Sequence, residues 1–109
     1  MISRIVTCNV RPEKLNEFRN RLNSEFLPRI KKENGFVDVV ESLDTMTGTF
    51  VCNTFWNSRQ DVDHYTNTLF NEVAEALTPY LTNEPTVQTL NVENSTVHNI
   101  RAGQKTAAA

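Results

Sequence analysis

Four stretches with strand patterning and two with helical patterning follow one another as strand, helix, strand, strand, helix, strand. That order predicts an α+β domain of the ferredoxin-like type, a four-stranded antiparallel sheet with both helices on one face. Three observations carry the prediction. Residues 35–58, GFVDVVESLDTMTGTFVCNTFWNS, hold two β-rich runs joined by a short turn. The segments on either side of this hairpin place apolar residues at helical spacing. Beyond them, near each end of the chain, lies a further run that alternates with a period of two.

The first strand is expected over Met1 to Val10, with Ile2, Val6, Cys8 and Val10 on one face and Ile5, Thr7 and Asn9 on the other. Arg11-Pro12-Glu13 then opens a helix, because proline is tolerated in a first turn and an acidic residue suits the positive end of the helix dipole. Leu15, Phe18, Leu22, Phe26 and Ile30 form its buried stripe. Pro28 removes a backbone donor inside that stripe, which predicts a kink or a restart. Lys31-Lys32 and Asn34-Gly35 end the helix.

In the hairpin, Val37, Val39 and Leu43 are expected on one face of the second strand, and Asp44 to Gly48 supply the turn. The third strand runs from Thr49 to Trp56. Phe50, Cys52, Thr54 and Trp56 share one face, and Val51, Asn53 and Phe55 share the other. Both faces are apolar enough to predict burial on both sides. An amide such as Asn53 must then find a partner, most simply a neighbouring group.

Ser58 with Asp61 three residues on forms a weak capping box for the second helix. Val62, Tyr65, Leu69, Val73, Leu77 and Tyr80 trace its apolar side. Asn67-Thr68 are poor helix formers and predict a break there, with Thr68 capping a second piece. Thr86 to Glu93 alternates as a fourth strand, and Thr96 to Ile100 is a candidate short extra strand. Residues 1–100 are thus read as one domain, and the tail at 101–109 is expected to be disordered.

A helix pair covers one side of the sheet only. The other side would leave an apolar patch large for a monomer, so a two-fold homodimer with its sheets packed together is expected. The 109 residues are 39% hydrophobic and 22% charged, with a net charge of -2, ordinary for one soluble domain and without the basic footprint of nucleic-acid binding. No window approaches the ~18 apolar residues of a membrane span, and no basic-then-apolar leader opens the chain, so the expected compartment is the cytoplasm. Cys8 and Cys52 fit that compartment as buried thiols, a disulfide being the weaker reading. Two distant histidines give no metal-ligand spacing, and the glycines at 35, 48 and 103 make no phosphate loop.

The run Pro28-Arg-Ile-Lys-Lys-Glu-Asn-Gly35-Phe36, the tryptophan that closes the third strand and the Trp56-Asn-Ser58 helix start resemble the antibiotic biosynthesis monooxygenase domain over roughly residues 2 to 93. That resemblance implies a dimeric α/β barrel, with the two sheets packed together. It also implies either a monooxygenase that needs no cofactor and acts on quinols or polycyclic phenols, or a heme-degrading enzyme. The heme-degrading members use an Asn on strand one, the Trp ending strand three and a His in the second helical segment. Trp56 matches the second and Asn9 is nearest to the first. The segment after Phe70 reads Asn-Glu-Val-Ala-Glu-Ala, without a histidine, which argues against an axial heme ligand.

Quinol-type members carry a His about nine residues after the tryptophan. Here that position is Tyr65, with His64 one step earlier and ~100° around the helix. The implied site is therefore Trp56, Tyr65, His64 and Asn9 as catalytic candidates, with Phe50 and Thr54 lining a substrate pocket. No metal and no cofactor are implied, and the expected ligand is a small aromatic or apolar molecule. Each residue also has a plainer role: Trp56 as a core or interface anchor, Tyr65 as packing with its hydroxyl at a polar edge, His64 as an exposed helix residue. Two functions follow, a cofactor-independent monooxygenase and a non-catalytic dimer that binds a small ligand or serves a stress or regulatory role.

Overall fold

The computed structural model describes residues 1–101. Its strands are β1 (Ile2–Asn9), β2 (Phe36–Asp44), β3 (Thr49–Trp56) and β4 (Thr86–Asn91). They form one antiparallel sheet in the order β2-β3-β1-β4. The helices α1 (Leu15–Arg21), α2 (Leu27–Ile30), α3 (Arg59–Asn67) and α4 (Leu69–Leu77) cover one face. The ferredoxin-like α+β architecture is the one expected. Of the expected tail, residue 101 is the last described, and 102–109 lie outside the described residues.

The first helical stripe is buried as expected: Phe18, Leu22, Phe26 and Ile30 are all core residues. Pro28 does not produce the simple kink. Instead a 3-10 turn (Pro12–Lys14) leads into α1, and a π-helical turn (Leu22–Phe26) joins α1 to α2, with the Leu27 N–H bonded to the Leu22 carbonyl. The reason lies in the spacing. Positions four apart advance by ~40° around an α-helix, so an unbroken stripe from Phe18 to Ile30 would wind away from the sheet. One wider turn resets it and also relieves the missing donor of Pro28.

Ser58 caps α3 from both directions, its Oγ accepting from the Asp61 N–H at 3.2 Å and donating to Asp61 Oδ2 at 2.8 Å. The helix breaks at Thr68 as predicted, but Thr68 does not cap α4. Its hydroxyl donates back to the His64 carbonyl at 2.7 Å and so closes α3. In the hairpin turn Asp44 Oδ1 accepts from the Met46 N–H at 2.9 Å, and Gly48 has φ 76° with its carbonyl bonded to the Val10 N–H at 2.9 Å.

Several details differ from expectation, among them the end of β4 at Asn91 rather than Glu93. Val10 leaves β1 and makes an isolated bridge to Leu81. On β2 the pairing passes from Phe36 opposite Trp56 to Asp38 opposite Phe55, so Val37 is the extra residue of a bulge rather than a member of the Val39 and Leu43 face. Residues 96–99 form a turn closed by a Ser95–Ile100 bridge, and the extra strand is absent. This closing segment crosses the open face of its own sheet. His98 lies 6.2 Å from the Phe55 ring and its Nε2 is 3.6 Å from Asp38 Oδ2. The rest of that face stays open, with Val40 and Leu90 each 49% exposed. No helix among the described residues is long and apolar enough to cross a membrane.

Candidate functional site

The even-numbered residues of β1 face the helices, and antiparallel pairing puts them in line with those of β3. Ile2 is opposite Trp56, Arg4 opposite Thr54, Val6 opposite Cys52 and Cys8 opposite Phe50. Between this face and the helices lies a cavity of about 70 Å³. Arg4, Phe50, Cys52 and Thr54 form part of its sheet wall, while Tyr65 and Phe70 close the helix side.

Tyr65 is 4% exposed and stacks on Trp56, with ring centroids 4.8 Å apart and planes 27° from parallel. Burial pushes its phenol well above the ordinary tyrosine range, although the Arg4 charge opposes this. Tyr65 therefore stays protonated, able to donate a hydrogen bond but not to act as a base. Trp56 is fully buried and does not line the cavity. Its indole N–H donates to Thr54 Oγ1 at 2.8 Å, and Phe36 meets the indole edge-on at 5.7 Å. It stands behind Thr54 and Tyr65 and holds both in place.

The structure does not bring the other two catalytic candidates to this cluster. Asn9 is at the far end of β1, opposite Thr49, and on the open face of the sheet. Its Oδ1 accepts from Thr49 Oγ1 at 3.1 Å. Odd and even positions of a strand point to opposite faces, so a one-residue difference in parity removes Asn9 from the cavity. His64 is exposed and lines a separate surface groove with Arg29, Glu33 and Glu72. Its ~100° rotation from Tyr65 is the cause. Asn53, on the open face and only half-buried rather than enclosed on both sides, accepts from Ser3 Oγ at 2.7 Å.

One residue that sequence reading missed dominates the site. Arg4 is 2% exposed. Its guanidinium carbon lies 3.9 Å from the Phe70 ring centroid and 5.4 Å from that of Tyr65. Nε donates to Thr66 Oγ1 at 3.1 Å, whereas Nη2 is buried without a hydrogen-bond partner. The available signal was its parity: Arg4 sits between Ile2 and Val6 on the inward face, where a charge is out of place. Burial lowers its pKa, yet an arginine remains charged.

The two thiols reinforce the lack of a base. Burial pushes Cys8 up to about 11 and Cys52 up to about 12, and both are free. Glu41 pairs with Cys52 across the sheet, and burial raises its carboxyl too, but it does not line the cavity. The described residues hold no cluster of three His, Cys, Asp or Glu able to bind a metal. The wall therefore offers donors, one cation and aromatic surface.

A family model described as antibiotic biosynthesis monooxygenase matches residues 1–77. Among curated proteins nothing matches. Solved structures of the same fold include a Streptomyces coelicolor monooxygenase from the gene ActVA-Orf6, in complex with nanaomycin D. It is 19% identical over 86% of this chain and 88% of its own, with a TM-score of 0.72. A conserved protein from Methanosarcina mazei Go1 is 23% identical over 82% of this chain and 89% of its own, at a TM-score of 0.70. Rv0793 from Mycobacterium tuberculosis is 19% identical over 87% of this chain and 97% of its own, at 0.71.

Proposed function

We propose that this chain, which belongs to the antibiotic biosynthesis monooxygenase family, is a cofactor-independent monooxygenase acting on a small aromatic or quinol substrate. The observation that supports this most is the half-enclosed cavity walled by Phe50, Thr54, Tyr65 and Phe70, an apolar slot with a phenolic residue at one side. The nanaomycin D bound by the Streptomyces coelicolor neighbour is in keeping with a ring-containing substrate.

Such a reaction needs little from the protein. A phenol and dioxygen give a quinone and water: one oxygen atom enters the ring, and the other leaves with the ring hydrogen and the hydroxyl hydrogen. The substrate supplies all the electrons, so no external reductant is required. The phenolate, not the phenol, is the electron-rich species that meets oxygen, and a dehydrated pocket keeps its negative charge reactive. Tyr65 would orient the substrate oxygen by donating to it. Trp56 would act through Tyr65 and Thr54, as a positioning residue rather than a stacking surface for the ring.

A second reading is a non-catalytic binder of a small apolar ligand. The lack of a base in the cavity wall favours it, since burial keeps Tyr65, Cys8 and Cys52 protonated. Oxygen uptake against quinols, anthrones and hemin separates the two. Consumption that scales with enzyme, survives chelation and falls in Tyr65→Phe supports the monooxygenase. A flat trace with ring binding intact supports the binder.

The working unit is proposed to be a homodimer in the cytoplasm, joined through the open sheet face that carries Val40 and Leu90. The free thiols accord with a reducing compartment. Sedimentation of Val40→Glu with Leu90→Glu should yield monomers; an unchanged dimer would put the interface elsewhere.

A further inference from the structure

We infer that the cavity is an anion receptor, in which Arg4 recognises the oxyanion of a small planar aromatic ligand. This deepens the monooxygenase reading and rests on it for the aromatic nature of the substrate, while the anion site itself stands on Arg4.

A guanidinium buried to this degree normally has a carboxylate beside it. Arg4 has none: the ion pairs of the described residues involve Lys14, Arg21, Arg29 and His98. Its flat faces are served by Phe70 and Tyr65, and such contacts satisfy the π-face of the cation. They do nothing for the N–H groups, which lie in the guanidinium plane. One edge is used by Thr66, and Nη2 is left without an acceptor although it is fully enclosed. An enclosed cation lacking a counter-charge is costly, and two partners would repay that cost: an ordered water or an anionic ligand. Arg4 lines the cavity, so an oxyanion entering there meets the field of a desolvated cation that has no counter-charge among the described residues.

The remaining wall narrows the ligand. Tyr65 is a neutral donor, and Cys8 and Cys52 are protonated thiols, so none of these three can take a proton from a substrate. A substrate that reacts as an anion must then be acidified by the site rather than deprotonated by a wall residue. A fixed cation does this by favouring the charged form, and the proton goes to solvent as the ligand binds. The largely apolar wall, with Phe50, Phe70 and Leu77 in it, favours an apolar ring carrying that oxygen. Phenolates, enolates of ring ketones and arenecarboxylates share this chemistry.

The test uses three probes under anaerobic conditions, with the fluorescence of Trp56, the single tryptophan, reporting occupancy. They are 4-nitrophenol, whose anion is yellow and whose acid is not, benzoate, and neutral nitrobenzene as a shape control. The wild-type chain should bind 4-nitrophenolate about tenfold more tightly than nitrobenzene, and bound 4-nitrophenol should ionise about one pH unit lower than free. Benzoate bound equally well would make the site a general oxyanion receptor; benzoate excluded would restrict it to phenolates, and both outcomes support the inference. Arg4→Met should erase the preference for the anion and leave nitrobenzene binding in place. Arg4→Gln, should Arg4→Met not fold, should likewise remove the charge and lose most of the preference for the anion.

Equal affinity of the wild type for all three probes, or no affinity for either anion, would overturn the inference. Anion-selective binding with no oxygen uptake would sink the monooxygenase and leave the anion site standing. Oxygen uptake unaffected by Arg4→Met would do the reverse.

Discussion

Trp56 and Tyr65 stack face to face, 4.8 Å between centroids, one from the end of β3 and the other from the second turn of α3. The contact joins the sheet to α3 at the edge of the cavity, and the indole N–H fixes the Thr54 hydroxyl on the same side. Trp56→Phe removes the hydrogen bond and part of the stacking surface. It should cost about 1–3 kcal/mol in urea unfolding while leaving the chain folded. Oxygen uptake should fall through a looser Tyr65, with Tyr65→Phe falling further at little cost in stability. A Trp56→Phe protein of undiminished activity would separate the stack from the chemistry.

Arg4 sets stability against binding. Exchanging a buried, incompletely paired charge for an apolar chain of similar length is neutral to stabilising in most proteins. Arg4→Met is therefore expected to leave thermal stability unchanged or raise it by up to about 2 kcal/mol. A loss of several kcal/mol would mean that the stacking on Phe70 and the bond to Thr66 are structural, and that the residue is retained for the fold.

Alkaline pH should weaken the fold before it unfolds. Cys52 is pushed up to about 12 and Cys8 to about 11, and Tyr65 is raised as well, each mainly by burial. In the unfolded chain a thiol ionises near its ordinary value of roughly 8.5. The unfolded state therefore sheds these protons first. The stability is fully present below that value and is lost as pH rises through the folded-state values. Urea midpoints from pH 7 to 10.5 should decline above about pH 8.5, and Cys52→Ala should flatten the decline. A level profile would place the thiols in contact with water.

Gly35 closes the first helical layer at φ 79°, with the position of a Cβ only 2.1 Å from Asp61 Oδ2. That carboxylate is the one that accepts from Ser58, so Gly35→Ala strikes the backbone and the α3 cap together. Equilibrium unfolding should show a loss of roughly 2–4 kcal/mol. Ser58→Ala alone should lose only about 1 kcal/mol.

The site illustrates how much depended on partners distant in sequence. Phe50, Thr54 and Tyr65 were legible because each lies on an apolar stripe that must face inward. Asn9 was misplaced by parity along β1, and His64 by one step around α3. Trp56 was found at the right end of β3, but its depth behind Tyr65 depends on how α3 crosses the sheet, which no local pattern records. Arg4 was passed over because an apolar pattern is traced through the residues that fit it.

The sequence by itself determined the order of elements, the buried stripe from Phe18 to Ile30, the Ser58–Asp61 cap and the hairpin turn at Gly48. All of these arise from interactions within a few residues, where spacing and side-chain chemistry decide the outcome. Only the tertiary structure decided the π-turn before Pro28, the bulge at Val37 and the meeting of Arg4 with Tyr65 and Phe70. Those depend on register and crossing between segments, which for Arg4 lie some 60 residues apart. There the packing of the whole domain, and not any local preference, selects which side chain is enclosed.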